Sequence, residues 1–289
     1  MLKVFLSILF LSLTGIIAFF VFLNYILSKI FHLPHIKSKQ TPNEYELEYK
    51  HEFVRSTHHK KVEIWDINPD AKGPICISIH GWANTSDSFL PLVKNMKSKN
   101  RIILVNARSH GASADEKHMN LLKYAEDIKA VVNHLEFANG TLEPIVLIGH
   151  SLGGAAALYQ ASKDKRIMAV ATIGTFADLE TIMRHGFIKN KLPNGFVGSM
   201  LTYIEFRIGD RLANISPLKT VQNFTGPVLL IHGTKDEVVP FSDLNKIRKA
   251  AHRENVEQFV MKGFGHSELL AEQGIADSIE KFITKNIQG

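Results

Sequence analysis

The stretch Ile145-Val-Leu-Ile-Gly-His-Ser-Leu-Gly-Gly-Ala-Ala-Ala157 decides the fold of this 289-residue chain. Its first four residues form an apolar run short enough for a buried strand, and its alanine-rich end favours a helix. Between them, Gly149 and Gly153 flank Ser151, which indicates a sharp strand-to-helix turn with the serine at its apex. The turn predicts an exposed, nucleophilic Ser151 hydroxyl. It also places the amide of Leu152 at a helix N-terminus, which favours negative charge.

With this strand, turn and helix, the chain resembles the α/β-hydrolases of the esterase, lipase and monoacylglycerol-lipase-like kind over about residues 60–289. The resemblance implies an α/β fold with a mostly parallel eight-stranded sheet, helices on both faces and a small helical lid. It also implies a serine nucleophile, an acid and a histidine in that chain order.

Two later loops hold residues that match the acid and the base of this family. Asp236 follows a buried strand, and its expected task is to accept the Nδ1 proton of the catalytic histidine. His266 lies between the last predicted strand and a C-terminal helix, where the family keeps its general base. The resemblance therefore implies a triad of Ser151, Asp236 and His266. Asp178, just after the sixth predicted strand, is the alternative acid.

A third loop supplies the expected oxyanion hole. The apolar strand Pro74–Ile79 runs into His80-Gly81-Trp82. In the hydrolases that this chain resembles, the residue after the His-Gly pair donates its backbone amide to the oxyanion. Trp82 holds that position, so the amides of Trp82 and Leu152 are the two expected donors to the developing negative charge.

The loop at residues 106–113 resembles the Asp-x-Arg-Gly-His-Gly-x-Ser loop of the family, with Asn106 in place of the aspartate and Ser109 in place of the glycine. His110 in this loop has the chemistry of a catalytic base. Because the family uses the loop to support the nucleophile turn, we expect a structural role for His110.

Composition excludes several classes of function. The net charge of +6 is spread along the chain among acidic residues, so no nucleic-acid footprint is indicated. A single cysteine, Cys76, rules out an intramolecular disulfide. The chain has no P-loop, no HExxH, no zinc-spaced cysteine pair and no dinucleotide fingerprint, and we therefore expect no cofactor and no metal.

The N-terminal segment predicts a transmembrane anchor over residues 1–28. Val4 to Leu27 carries no charge and is long enough to cross the hydrocarbon core of a bilayer. A cleaved signal peptide is the competing interpretation, but the apolar run is long and ends without a small-x-small cleavage site. Tyr25 and Lys29 are typical of interfacial anchors. The lysines that follow the span outnumber Lys3 before it, a small bias that favours a cytoplasmic catalytic domain.

The rest of the chain divides into a juxtamembrane linker at 29–43 and a hydrolase domain at 44–289. Within the domain, Tyr45–Tyr49 and Val62–Ile67 alternate apolar and polar residues, which predicts half-exposed edge strands. Residues 177–213 hold many large apolar side chains, among them Met183, Phe187, Phe196 and Met200, and carry no strand signal. They form either a lid over the active site or a helical connector packed on the body, and the sequence does not separate the two.

The predicted function is that of a membrane-anchored serine hydrolase that cleaves carboxylic esters through an acyl-enzyme. The anchor favours a small-molecule or lipid-like acyl substrate. Thioesterase, amidase and peptidase activities use the same triad and stay open. A hydrolase-fold module that binds a ligand with little turnover is the alternative from another class. The sequence does not indicate an oligomeric state.

Overall fold

One eight-stranded sheet organises the computed structural model, which describes residues 1–30, 33–97, 100–139 and 143–288. Residues 31–32 of the predicted linker lie outside the described residues. The strands are β1 (Tyr49–Arg55), β2 (Lys61–Ile67), β3 (Ile75–Ile79), β4 (Arg101–Asn106), β5 (Ile145–His150), β6 (Ile167–Ile173), β7 (Val228–Gly233) and β8 (Val256–Met261).

The strand order is β1-β2-β4-β3-β5-β6-β7-β8. β1 pairs with β2 and β2 with β4 in antiparallel register, whereas β4, β3, β5, β6, β7 and β8 run parallel. The predicted α/β-hydrolase architecture is therefore confirmed. The chain leaves β3 towards one side of the sheet and β5 towards the other, and the carboxyl ends of two such strands border the usual ligand crevice of an open α/β sheet.

Helices cover both faces of the sheet. In chain order, the helices of the described residues are α1 (Leu2–Ile30), α2 (Leu90–Asn95), α3 (Leu121–Asn139), α4 (Leu152–Ala161), α5 (Leu179–Lys189), α6 (Asn194–Ile208), α7 (Leu212–Ile215), α8 (Pro217–Thr220), α9 (Ser242–Ala250) and α10 (Gln273–Ile283). Because successive side chains of a strand point to opposite faces, Ile77 packs in the core under α3 and α4 while Cys76 packs in the core under α2 and α10. Burial on both faces explains why the inner strands are continuously apolar.

The prediction of a strand at Tyr45–Tyr49 is wrong. Pro42–Tyr45 form a short 3₁₀ helix, which Thr41 and Glu44 close with a capping box. Glu46 then adopts a left-handed conformation with φ 54°, which reverses the chain before β1 begins. The exposed edge is therefore β1. The second expected edge strand, Val62–Ile67, is paired on both sides and buried.

The N-terminal helix α1 projects from the body. Leu2–Lys29 is long and apolar enough to cross a membrane by length and composition. The side chains before Leu23 are exposed, but Leu23 is only 2% exposed, and Ile26 and Leu27 pack against the core under α3 and α4. The helix therefore has a free part and a docked end.

The segment after α1 is bound to the hydrolase body. The Ile36 amide donates to the Ser109 carbonyl at 3.0 Å, and the Gly111 amide donates to the Ile36 carbonyl at 2.7 Å. The amide of Lys39 donates to an Asp87 carboxylate oxygen at 2.7 Å. The two bonds of Ile36 hold the segment along the loop at residues 106–113, and the bond of Lys39 holds it to Asp87 in the loop after β3.

Candidate active site

The Ser151 turn joins β5 to α4 at the carboxyl edge of the sheet. Ser151 has φ 53° and ψ −118°, a conformation that non-glycine residues rarely adopt. Its amide donates to the Ile173 carbonyl of β6 at 2.8 Å, which helps to hold the strained residue in place. Leu152 is the first residue of α4, and the first amides of a helix have no acceptor within it. The turn thus presents a hydroxyl beside an unpaired helix terminus.

Close backbone packing explains the glycines on either side of Ser151. A Cβ on Gly149 would lie 2.4 Å from the Gly154 Cα. A Cβ on Gly153 would lie 2.3 Å from the Ile79 carbonyl oxygen and 2.5 Å from that of His80. Since these neighbours are backbone atoms, a side chain at either glycine would push α4 away from the sheet.

Asp236 and His266 meet at the same edge of the sheet. The loop after β7 carries Asp236, the loop after β8 carries His266, and His266 Nδ1 donates to Asp236 Oδ2 at 2.6 Å. The other carboxylate oxygen accepts from the amides of Val238 at 2.9 Å and Val239 at 2.7 Å. Asp236 thus has its side chain buried and each of its oxygens occupied. This arrangement fixes the tautomer of His266 with the proton on Nδ1 and leaves Nε2 as the acceptor.

His232 is a further partner of Asp236 that the sequence analysis missed. Its Nε2 lies 3.3 Å from Asp236 Oδ2 and 3.0 Å from the Val239 carbonyl oxygen. Burial alone would raise the pKa of Asp236, but the hydrogen bonds from His232, His266 and the Val239 amide hold it well below its usual range. The carboxylate therefore stays ionised beside His266. The available signal was the position of His232, which lies near the end of β7 and four residues before the acid.

Several contacts connect His266 to the Ser151 turn. The rings of His266 and His150 have centroids 4.7 Å apart, and His150 Nε2 lies 3.2 Å from the His266 carbonyl oxygen. Burial, together with the nearby His266, lowers the pKa of His150 to about 4, which keeps this ring neutral. A Cβ on Gly174, the residue after β6, would lie 3.1 Å from His266 Nδ1. Within the described residues the Ser151 hydroxyl itself makes no hydrogen bond.

The loop after β3 lies against Ser151. A Cβ on Gly81 would lie 3.0 Å from the Ser151 Cβ, so the backbone passes directly beside the serine. His80 Nε2 accepts from the Ala107 amide at 3.1 Å, which leaves its Nδ1 to donate to the Gly81 carbonyl at 2.8 Å. Because the C=O and N–H of a trans peptide point in opposite directions, this bond also orients the amide of Trp82.

Tyr124 of α3 is a second residue that sequence reasoning missed. Its hydroxyl lies 3.3 Å from the Gly81 carbonyl oxygen and 3.3 Å from His110 Nε2. Burial lowers the pKa of His110 to about 4, and its Nδ1 lies 2.8 Å from the Arg108 carbonyl oxygen. His110 is therefore a buried structural group, as expected from the sequence.

Asp178, the alternative acid, has a different task. It is the N-cap of α5 and accepts from the Thr181 amide at 2.8 Å. The Ser216 hydroxyl donates to its other oxygen at 3.2 Å. The carboxylate that pairs with His266 is that of Asp236.

A largely apolar cavity of about 450 Å³ opens at Ser151. Trp82 lies on its rim and is 36% exposed. The walls come from α3, from α5 and α6, which we call the cap, and from α1. Representative lining residues are Leu121, Ile182, Met183, Ile204, Asn24 and Leu27. The size and polarity suit a small ligand with an apolar part. Among the described residues, no group of three His, Cys, Asp or Glu side chains has an arrangement for a metal ion.

Comparisons with known proteins agree with this architecture. Residues 74–216 match the family described as the alpha/beta hydrolase fold. The chain therefore contains a domain of the α/β-hydrolase fold, and its relatives include proteins that are named as esterases or lipases.

Individual relatives are distant. A Haemophilus influenzae protein provisionally named an esterase/lipase is 24% identical, over 74% of this chain and 84% of the relative. An uncharacterised membrane protein of Saccharomyces cerevisiae is 23% identical, over 84% of this chain and 82% of the relative. The solved structure of the Pyrococcus furiosus esterase Pf2001 superimposes with a TM-score of 0.71 at 21% identity, over 88% of this chain and 97% of that one.

Proposed function

We propose that this protein is a membrane-anchored serine hydrolase that cleaves carboxylic esters through Ser151, His266 and Asp236. The observation that carries the proposal is the Asp236–His266 hydrogen bond at the edge of the sheet where Ser151 occupies a strained turn. A buried, ionised carboxylate on Nδ1 holds the imidazole in the tautomer whose Nε2 can accept the serine proton, which is what a serine needs to become a nucleophile.

The chemistry follows from the geometry around the turn. His266 Nε2 accepts the Ser151 proton as the serine oxygen attacks the ester carbonyl carbon. The amides of Trp82 and Leu152 donate to the oxyanion. When the intermediate collapses, the carbon–oxygen bond to the alcohol breaks and His266 returns the proton to the departing alkoxide. Water then attacks the acyl-enzyme with His266 again as the base, and the acid leaves with Ser151 restored.

This reaction needs a hydrogen bond between Ser151 and His266 that the resting arrangement lacks. Catalytic hydrogen bonds of free enzymes are often long and tighten only with substrate bound. The hydroxyl of serine turns about a single side-chain torsion, so we expect it to reach Nε2 without movement of the backbone.

The apolar cavity supports an ester with an apolar acyl group as the substrate. Its lining from α3 and the cap offers few polar partners to a second, hydrophilic moiety. Thioesters and amides would meet the same triad, and the ratio of their turnover to that of matched esters assigns the preference.

Helix α1 supports the membrane part of the proposal. Its exposed apolar side chains need a nonpolar environment, and the bilayer supplies one for a helix of this length. Lys29 and the lysines after it favour a cytoplasmic position for the hydrolase domain. Alkaline carbonate extraction tests the anchor, and release of the chain into the soluble fraction would contradict it.

The nucleophile is tested by fluorophosphonate labelling of the full chain and by hydrolysis of p-nitrophenyl esters of graded chain length. Ser151→Ala should abolish labelling and lower turnover at least 10³-fold, because the residual rate then comes from binding and oxyanion stabilisation alone. Ser162→Ala, at the end of α4, is the matched control and should label like the wild type. Full esterase activity in the Ser151→Ala protein would refute the assignment.

A further inference from the structure

We propose that α1 is part of the active site as well as an anchor: its docked end forms one wall of the acyl cavity, and single-chain acyl esters enter that cavity from the bilayer along the helix. This inference rests on the proposed hydrolase function. Its first support is that Asn24 and Leu27 of α1 line the same cavity as Ser151.

The docked end of α1 has specific contacts with α6. Leu23 is buried in the core, and the Asn24 side-chain oxygen accepts a hydrogen bond from the Arg207 guanidinium. One turn earlier, the rings of Phe20 and Tyr203 have centroids 5.7 Å apart. Because these contacts are both apolar and polar, they fix the rotation of the helix as well as its position.

The segment that follows α1 strengthens this attachment. Ile36 is hydrogen-bonded in both directions to the loop at 109–111, and His35 Nδ1 lies 2.5 Å from an Asp115 carboxylate oxygen. The helix end is therefore held between the cap on one side and a bound segment on the other. A flexible tether would leave the cavity free to face any direction, whereas this attachment sets its direction relative to the membrane.

The length of the free part places the membrane boundary. Residues 2–22 are exposed and, at 1.5 Å per residue, span about 31 Å, which matches the roughly 30 Å of a bilayer hydrocarbon core. The bilayer surface then lies at the level of Leu23 and Asn24, where the cavity is lined by α1. Arg207 at this level can reach the headgroups, and Phe206 beside it is 76% exposed, as suits a side chain that enters the bilayer.

The substrate class follows from this position. An ester dissolved in the bilayer has its acyl chain among the lipid tails and its carbonyl near the headgroups. Movement of such a molecule along α1 would carry the carbonyl towards Ser151 while the chain stays in apolar surroundings. The acyl chain therefore never crosses water, and the free-energy cost of exposing its apolar surface to water does not oppose entry. One cavity of this volume suits one acyl chain.

The wall is tested with the full-length protein in detergent micelles, using p-nitrophenyl acetate and p-nitrophenyl decanoate. Leu27→Trp fills the cavity beside α1 and should lower the ratio of decanoate to acetate kcat/KM at least tenfold. Ser28→Trp places the same side chain on the exposed face of the same turn and should leave both rates unchanged. Leu27→Ala, which widens the cavity, should raise the optimal chain length across the p-nitrophenyl esters of graded chain length.

The outcomes separate the two proposals. Ser151-dependent hydrolysis with Leu27→Trp equal to Ser28→Trp overturns the role of α1 and leaves the hydrolase intact. If the wild type hydrolyses neither ester and no fluorophosphonate label appears, the proposed function fails and the inference fails with it. A Leu27→Trp protein that does not fold is replaced by Leu27→Ala, for which an unchanged chain-length profile overturns the inference.

Entry from the bilayer has its own measurement. The full chain is reconstituted in phosphatidylcholine vesicles that contain 4-methylumbelliferyl oleate. At a fixed total concentration of this ester, we expect the rate to fall in proportion to its mole fraction as more phosphatidylcholine is added. A rate that depends on the total concentration alone would overturn the entry route.

Discussion

Gly153→Ala tests how closely the nucleophile turn must fit against the oxyanion loop. The new Cβ would lie 2.3 Å from the Ile79 carbonyl oxygen and 2.5 Å from that of His80. Ordinary van der Waals contact begins near 3.4 Å, so α4 and the end of β3 must separate by about 1 Å. Both partners are backbone atoms, and no side-chain rotation relieves the clash.

Two effects of opposite sign act on stability. Alanine in a helix is favoured over glycine by up to about 1 kcal/mol, whereas overpacking of a buried site costs about 1–3 kcal/mol. The clash involves two carbonyl groups, so overpacking should prevail, with a net loss of about 1–2 kcal/mol. Activity should suffer more. The same shift separates Ser151 from the Trp82 amide, and a misplacement of about 1 Å costs about 100-fold in rate.

The assay compares kcat/KM for p-nitrophenyl butyrate with the free energy of unfolding, measured by tryptophan fluorescence in urea. Gly198→Ala on α6 is the matched control, because a Cβ there meets no atom within 4 Å. It should gain up to about 1 kcal/mol from helix propensity and keep full activity. Wild-type kcat/KM in Gly153→Ala would refute the argument that close packing sets the geometry of the site.

The remaining predictions concern charge. Asp236→Asn should lower kcat about 10⁴-fold, because the amide no longer holds His266 in the correct tautomer. Its oxygen can still accept from the amides that follow, so a melting temperature several degrees below wild type would contradict this reasoning. Burial lowers the pKa of His110 from its ordinary 6.5 to about 4. Between these two values the unfolded chain binds a proton that the folded chain does not, so the free energy of unfolding falls as the pH falls. Between pH 6.5 and 5 this amounts to about 2 kcal/mol, and His110→Asn should reduce the pH dependence of the unfolding free energy by that much. If His110→Asn leaves the pH dependence of the unfolding free energy unchanged, the low pKa of His110 does not contribute to it.

The hydrogen-bond network behind the oxyanion loop explains why several histidines are buried without a catalytic role. His80 and Tyr124 both donate hydrogen bonds to the Gly81 carbonyl, and His110 Nε2 lies within hydrogen-bond distance of the Tyr124 hydroxyl. Neutral rings with one donor and one acceptor nitrogen suit such a network. Their low pKa values follow from burial, and none of these rings contacts Asp236.

The sequence by itself determined the features that depend on neighbouring residues. A run of four apolar residues, a glycine-flanked serine and an alanine-rich helix define the turn at Ser151, because backbone strain and helix formation are local. Continuous apolar runs likewise predicted the buried strands, and the absence of charge predicted the N-terminal helix. The strand predicted at Tyr45–Tyr49 shows the limit of such patterns, since the capping box at Thr41 and Glu44 prevails over a short alternation.

Only the tertiary structure decided which surfaces meet. An apolar pattern predicts that a helix face is buried, but it does not identify the surface that buries it. Nothing in residues 1–30 therefore indicated that Asn24 and Leu27 line the cavity that opens at Ser151. The contact between His232 and Asp236 likewise depends on how the loop after β7 places the carboxylate beside that strand. The attachment of Ile36 to the loop at 109–111 joins residues more than seventy positions apart. Contacts of this kind follow from the packing of the whole chain, because their free energy comes from shapes and partners that no local stretch contains.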